Sequence, residues 1–397
     1  MKTATKKLIF LFTIVLSACN NEQPKENTSV AKTDSIKKDT VPVKHYANIV
    51  INKTYDELAS YVAGIKNVSY TTFDSSFTKN TSWITFCDEL DKSWLKHDST
   101  HILPMKNWRA TELSDADTAS PVIFYPFAGA DLLNAYTFFP KAKEFILIGL
   151  EPAGSLPDFK TADGKTNIQN YFYCTKTSLG TILNYSFFRT IAMKSDFRQE
   201  ELDGTIHLML LFLKRTGNSI VDIKPVNIDT TGEIATRSSY KEQKTNPGIE
   251  IDFTDADSII KKAFYFSLNL ANDGMSKNAG LLAFTKQRAG FNTYLKSASY
   301  LMHKDYFSSI RNLILDESEN VLEDDSGIPY RFFTPDKWEV TLYGSYISPI
   351  PMFSASTQPD LRKAFTDTSK VKPLPFGIGY KYRKGESVLT LARKKQL

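Results

Sequence analysis

Paired cysteines, metal-spaced histidines, glycine-rich phosphate loops and a strong charge of either sign are all scarce or missing in this 397-residue chain. Cysteine occurs 3 times and histidine 5 times, with no CxxC pair and no Cys/His cluster at metal-ligand spacing. No metal is therefore expected. The sequence contains neither a Walker loop nor a G-x-S-x-G elbow, which counts against the well-marked hydrolase classes. Formal net charge is only +5 and no basic stripe runs along the chain. A nucleic-acid footprint needs such a stripe, so no nucleic-acid partner is expected. Apolar runs stay well short of the roughly 20 residues needed to span a bilayer. No repeat of 20–50 residues is evident, which argues against a solenoid.

What is present begins at the N-terminus. Lys2, Lys6 and Lys7 flank a short apolar run from Leu8 to Val15, followed by Leu16-Ser17-Ala18-Cys19. A charged flank, a short apolar core and small residues before a cleavage point mark an export signal. Leu-Ser-Ala-Cys resembles the lipobox of bacterial lipoproteins. That resemblance implies a signal peptide over 1–18 and acylation of the Cys19 thiol, which becomes the first mature residue. Removing Lys2, Lys6 and Lys7 lowers the formal charge from +5 to +2. Each buried methylene of an acyl chain contributes about 0.8 kcal/mol, so two or three chains hold a protein to a membrane durably. Asn20 follows the cysteine where no aspartate signals inner-membrane retention. The resemblance thus implies an outer-membrane address, with the leaflet unassigned. Residues 19–44 are rich in Lys, Glu and Asp and poor in large apolar side chains. Such a segment reads as a tether of roughly 25–30 Å average span.

Residues 45–397 are expected to form a single large α/β domain. Thr54-Tyr-Asp-Glu57 has capping-box form ahead of Leu58, Val62 and Ile65. Trp83, Phe86, Cys87, Leu90 and Trp94 recur at helical spacing. Val122–Pro126 and Phe145–Leu150 are apolar without alternation, the pattern of strands covered on both faces and usually parallel. Further helices are predicted around 178–194 and 199–213, and a surface excursion over 229–248. Strands are predicted at Ile220–Ile223, Ile249–Phe253, Phe264–Leu270 and Trp338–Tyr343. Tyr294–His303 and Phe307–Leu315 read as buried elements, and Gly379–Leu391 as a hairpin around Arg383-Lys-Gly-Glu386. The expected fold is a Rossmann-like mixed sheet, largely parallel in its first half and antiparallel in its C-terminal half.

Two constellations are candidates for chemistry. Gly129 and Asp131 follow the first strand, and Glu151 follows the second, 22 positions after the glycine. An acidic residue there holds a ribose in nucleotide-binding α/β units. Residues 121–151 are similar to the first unit of a Rossmann-like methyltransferase, which implies ligand contacts at Gly129, Asp131 and Glu151. Two of the three glycines of G-x-G-x-x-G are missing, and Pro126 and Pro152 stand beside the strand ends. The reading therefore favours a sheet of that topology without the cofactor. Asp324-Asp325-Ser326-Gly327 is the second candidate, either a cation or acid–base site or an Asx turn, with Arg331 as a partner for one acid. His97 and His101 stand at i, i+4, but Asp98–Thr100 between them reads as a helix end. His207, inside an apolar run, reads as a satisfied core residue. Cys87 and Cys174 either pair in an oxidising compartment or stay as buried thiols. The functional expectation is a cell-envelope lipoprotein that binds or scaffolds without catalysis, held to the membrane through Cys19. The alternative is an extracytoplasmic hydrolase-like enzyme with its site at Gly129, Asp131 and Glu151.

Overall fold

The computed structural model describes residues 49–159, 167–185, 202–240, 242 and 246–396. The signal, Cys19 and the tether of the sequence reading lie outside the described residues. Asn48–Leu397 forms one compact unit. Among the described residues no helix is long and apolar enough to cross a membrane.

The principal helices are α1 (Lys53–Val62), α2 (Thr81–His97), α3 (Leu103–Glu112), α4 (Leu132–Phe138), α5 (Ile168–Tyr185), α6 (Ile206–Arg215), α7 (Ala279–Lys286) and α8 (Ser308–Glu317). Eleven strands form one mixed sheet: β1 (Val122–Pro126), β2 (Glu144–Gly149), β3 (Ser219–Ile228), β4 (Ile234–Thr236), β5 (Pro247–Thr254), β6 (Ile260–Ser267), β7 (Phe291–Leu295), β8 (Ser318–Glu323), β9 (Trp338–Gly344), β10 (Val371–Lys372) and β11 (Val388–Lys394). Their spatial order is β10-β9-β11-β8-β7-β1-β2-β6-β5-β3-β4.

The five central strands, β8-β7-β1-β2-β6, are parallel. Their side chains explain why. Ile123 and Tyr125 enter the core on one face while Phe124 enters the core on the other, and Phe145 and Leu147 oppose Ile146 and Ile148 in the same way. Both faces are thus covered, which parallel sheets require because their crossover helices lie on the faces. Helices α1 to α6 contribute to the first core, whereas α7 and α8 contribute to the second.

The mixed α/β class holds, but its parallel and antiparallel parts do not divide by halves. β7 and β8 come from the second half of the chain and pair in parallel. Antiparallel pairing builds one flank from β5, β3 and β4 and the other from β11. β11 is not one arm of a hairpin over 379–391: it inserts between β8 and β9, antiparallel to both. Arg393–Lys395 accordingly belongs to the end of a strand and its exit, and Arg393 Nε pairs with Asp115 at 2.8 Å.

Local boundaries also moved. Asn52, not Thr54, caps α1, its side chain accepting from Tyr55 N at 3.3 Å. Glu57 instead accepts four hydrogen bonds from Thr71 and Thr72, at 2.7 to 2.9 Å. The helix expected over 178–194 begins at Ile168, and 186–194 lies outside the described residues. That expected over 199–213 runs from Ile206 to Arg215, with 199–201 outside them. Asp98–Ile102 is not a helix end but a π-helical turn that joins α2 to α3. The expected element Tyr294–His303 splits into the end of β7, a loop in which Ser297, Ser299 and Tyr300 take positive φ, and a 3-10 turn over Leu301–His303. Cys87 is a buried free thiol, so the Cys87–Cys174 bridge is not made.

Candidate functional site

From β1 the chain steps to β2 and then β6 on one side, and returns to β7 and β8 on the other. The gap outside the carboxyl ends of β1 and β7 is therefore the point where strand order reverses. Open α/β sheets bind ligands in that crevice, because the loops there diverge to opposite faces. A cavity of ≈ 230 Å³ occupies it, lined from four strand ends. β1 supplies Tyr125, Phe127, Gly129 and Asp131; β2 supplies Gly149, Leu150 and Glu151; the β6 exit supplies Leu268, Asn269 and Leu270; the β7 exit supplies Lys296, Ser297 and Ser299, joined by Leu301 and Phe307.

Asp131 caps α4, one carboxylate oxygen accepting from Asn134 N at 3.3 Å and from Asn134 Nδ2 at 2.9 Å. The other accepts from Tyr125 OH at 2.9 Å and pairs with Lys296 Nζ at 2.6 Å. The side chains of this ion pair are only 2% and 1% exposed. Removing two charges from water costs several kcal/mol per ion, so such a pair persists only where further hydrogen bonds complete it. Tyr125 and Asn134 do so here.

Glu151 is also buried. Its carboxylate accepts from Leu150 N at 3.1 Å, and its carbonyl oxygen accepts from Tyr265 OH at 2.9 Å. Gly149 lets these groups approach: a Cβ there would lie 2.7 Å from Glu151 Oε2 and 3.2 Å from Gly129 Cα. Gly129 itself has φ of 54°, where L-side chains are disfavoured.

The rim is strained. Phe127, Ser297 and Ser299 have φ of 61°, 53° and 54°, and Tyr300 follows at 54°. Non-glycine residues in this region cost of order 1–3 kcal/mol each and persist where the surroundings over-determine them. Asp324 and Asp325 provide that bracing. Asp324 accepts from Ser297 N at 2.9 Å and from Ser326 N at 2.9 Å, with Ser326 Oγ as a third donor. Asp325 accepts from Tyr300 OH at 2.6 Å. Burial pushes the Asp324 carboxyl above the usual carboxylate range. Burial and then the charge of Asp324 push Asp325 up to about 7. Burial also holds Glu323 well above its ordinary value. Ser297 Oγ and Tyr294 OH are buried without a hydrogen-bond partner.

The structure thus brings Gly129, Asp131 and Glu151 to one cavity. It places Asp324 and Asp325 behind the cavity wall, in an Asx turn that supports the 297–300 loop. Arg331 forms no ion pair with either acid and instead stacks on Phe332, with its guanidinium carbon 4.9 Å from the ring centroid. Lys296 and Ser297 are the site residues that sequence reading missed. The sequence signal was weak, because Phe291-Asn-Thr-Tyr-Leu295 mixes polar with apolar residues and does not mark Lys296 as following a strand covered on both faces.

A second cavity, of ≈ 440 Å³, lies beside the π-helical turn. His97 and His101 stack there at 5.0 Å between ring centroids, and His101 stacks on Tyr382 at 4.4 Å. Burial, then His101 and Lys296, lower the His97 imidazole to about 3. His207 is a satisfied core residue, bonded to Tyr171 OH at 3.0 Å and to Asp203 O at 3.2 Å. Among the described residues no group of three or more His, Cys, Asp or Glu side chains is placed to hold a metal ion. Compared with protein-family models, with curated proteins and with solved structures, the chain matches none of them.

Proposed function

We propose that this chain is a lipid-anchored protein of the cell envelope, addressed to the outer membrane by its lipobox-like Leu16–Cys19, that holds a small amphipathic molecule in the strand-end cavity and acts by binding rather than catalysis. The observation that carries the binding reading is the ≈ 230 Å³ cavity at the strand-order reversal, with a buried ion pair at its base and strained backbone at its rim. Its volume lies below the roughly 300–1,000 Å³ of drug-sized sites, so the ligand is small. Leu150, Leu268, Leu270, Leu301 and Phe307 offer apolar wall, whereas Glu151, Asn269 and Ser297 offer polar groups.

The parallel core supports a Rossmann-like reading. In order of occurrence its strands run third-second-first-fourth-fifth across the sheet, the sequence used by doubly wound nucleotide folds. The helix between β1 and β2 lies on one face and the helix between β7 and β8 on the other. A dinucleotide does not follow from it. The pyrophosphate of such a ligand rests on the first helix N-terminus, and here the Asp131 carboxylate caps that end. A pyrophosphate there would have to displace a carboxylate that already accepts from Asn134 N. The same observation weighs against the enzyme alternative. Both Asp131 oxygens are already engaged by donors of the fold, which leaves no free lone-pair arrangement for general base work.

The test is native purification from the envelope followed by mass spectrometry of extracted small molecules, with Leu268→Trp as the cavity-filling comparison. A compound retained by the wild-type protein and absent from a folded Leu268→Trp protein is expected. Equal retention by both would refute the cavity assignment. For the anchor, Cys19→Ser is expected to abolish metabolic fatty-acid labelling, and undiminished label would overturn it.

A further inference from the structure

Arg311 stands in the first turns of α8 and is 7% exposed. Its Nη1 donates to Met302 O at 2.7 Å, while its Nε is buried with no hydrogen-bond partner. The guanidinium carbon lies 4.2 Å from the centroid of Phe332, the same ring on which Arg331 rests. Among the described residues neither guanidinium has a carboxylate within ion-pairing distance. Buried arginines are ordinarily paired, since an unmatched charge away from water is costly.

Two more nitrogenous side chains, His303 and Lys304, directly follow Met302, whose carbonyl Arg311 holds. His303 Nε2 is also buried without a partner. Burial, followed by the positive charges of Arg331, Lys304 and Arg311, lowers this imidazole to about 4. Arg331 and Lys304 are exposed, so positive charge runs from the surface inward to Arg311. Burial and the charge of Arg331 outweigh the attraction of Asp305 and hold the Arg311 guanidinium below its ordinary value.

With Nη1 held by the Met302 carbonyl, the edge of Arg311 left over is the Nε–Nη2 fork. That edge takes two oxygens of one carboxylate or phosphate in parallel hydrogen bonds. We propose that Arg311, Arg331 and His303 form an oxyanion site, separate from the strand-end cavity, that takes the phosphate or carboxylate group of a small molecule. Arg311 supplies the fork, Arg331 the outer charge, and His303 a further ring nitrogen whose protonation the bound anion favours.

The test is calorimetric titration of the full-length protein with inorganic phosphate, acetate and glycerol 3-phosphate at constant ionic strength set by chloride. Saturable binding of at least one is expected, weakened about tenfold or more in Arg311→Lys, which keeps charge but loses the fork. Because Arg311 is buried, Arg331→Gln at the surface serves as the second variant and is expected to weaken binding severalfold. In histidine-detected NMR the His303 titration midpoint should rise when the anion saturates. Tighter binding of glycerol 3-phosphate than of phosphate assigns the anion to a lipid headgroup, and the reverse to a free anion; both uphold the site. A response no greater than that to chloride, or one unchanged in Arg331→Gln with His303 unmoved, overturns it.

Discussion

Replacing Asp131 by asparagine removes one charge of a pair that water does not reach. The amide oxygen can still accept from Asn134, but the NH2 group then faces both Tyr125 OH and the Lys296 ammonium, which stood on the other carboxylate oxygen, Lys296 at 2.6 Å. Breaking a buried ion pair from one side costs about 3–5 kcal/mol, because the remaining ion keeps its desolvation cost without its partner. At about 2.1 cal/mol/K of unfolding entropy per residue, a body of about 350 residues should lose about 4–7 °C of Tm. Lys296→Met, which keeps the stem and deletes the charge, should fall by a similar amount. The double variant leaves neither charge stranded and should lose less than either single one. Circular dichroism melts of the four proteins at pH 7 provide the full cycle. Losses in the double variant that equal the sum of the singles would refute the claim that these two groups stabilise each other across the cavity floor.

Asp325, raised to about 7, is expected to make stability fall as pH rises from about 4 to 7. In that window the unfolded carboxyl has released its proton while the folded one retains it. Asp325→Asn keeps an acceptor for Tyr300 and should flatten the decline, seen as a higher melting temperature than wild type at pH 8 and little difference at pH 4. Glu57 behaves oppositely: burial pushes its carboxyl up, but the donors of Thr72 and Thr71 outweigh it and hold the group below its ordinary value. Glu57→Gln should therefore cost about 1.5–3 kcal/mol at pH 7, with the deficit shrinking as wild-type Glu57 protonates below about pH 4.5; an equal deficit at pH 3 in urea titrations would contradict this. Cys87, pushed up to about 12 by burial, should resist iodoacetamide in the folded protein and react only in denaturant, as read by intact-mass spectrometry.

Much of the strand and helix pattern was legible because it is local. An unbroken apolar run such as Phe145–Ile148 declares burial on both faces, and Trp83, Phe86, Leu90 and Trp94 declare a helix face, whatever lies elsewhere in the chain. The strand-end positions of Gly129, Asp131 and Glu151 were legible for the same reason, since the ends of β1 and β2 are marked by their own composition. The cap of α1 misled because Thr54-x-x-Glu57 satisfies the capping pattern locally, while the donors of Thr71 and Thr72, brought back by a turn, claim the carboxylate.

By itself, then, the amino-acid order determined which segments are strands buried on both faces, and that acidic residues stand at two strand ends. Only the tertiary structure decided that β7 lies against β1, that Lys296 meets Asp131 from 165 residues away, and that β11 enters between β8 and β9. The physical reason is that side-chain periods of 2 and 3.6 residues record which face is buried, whereas strand neighbours are chosen by how all the covered faces close over one another at once.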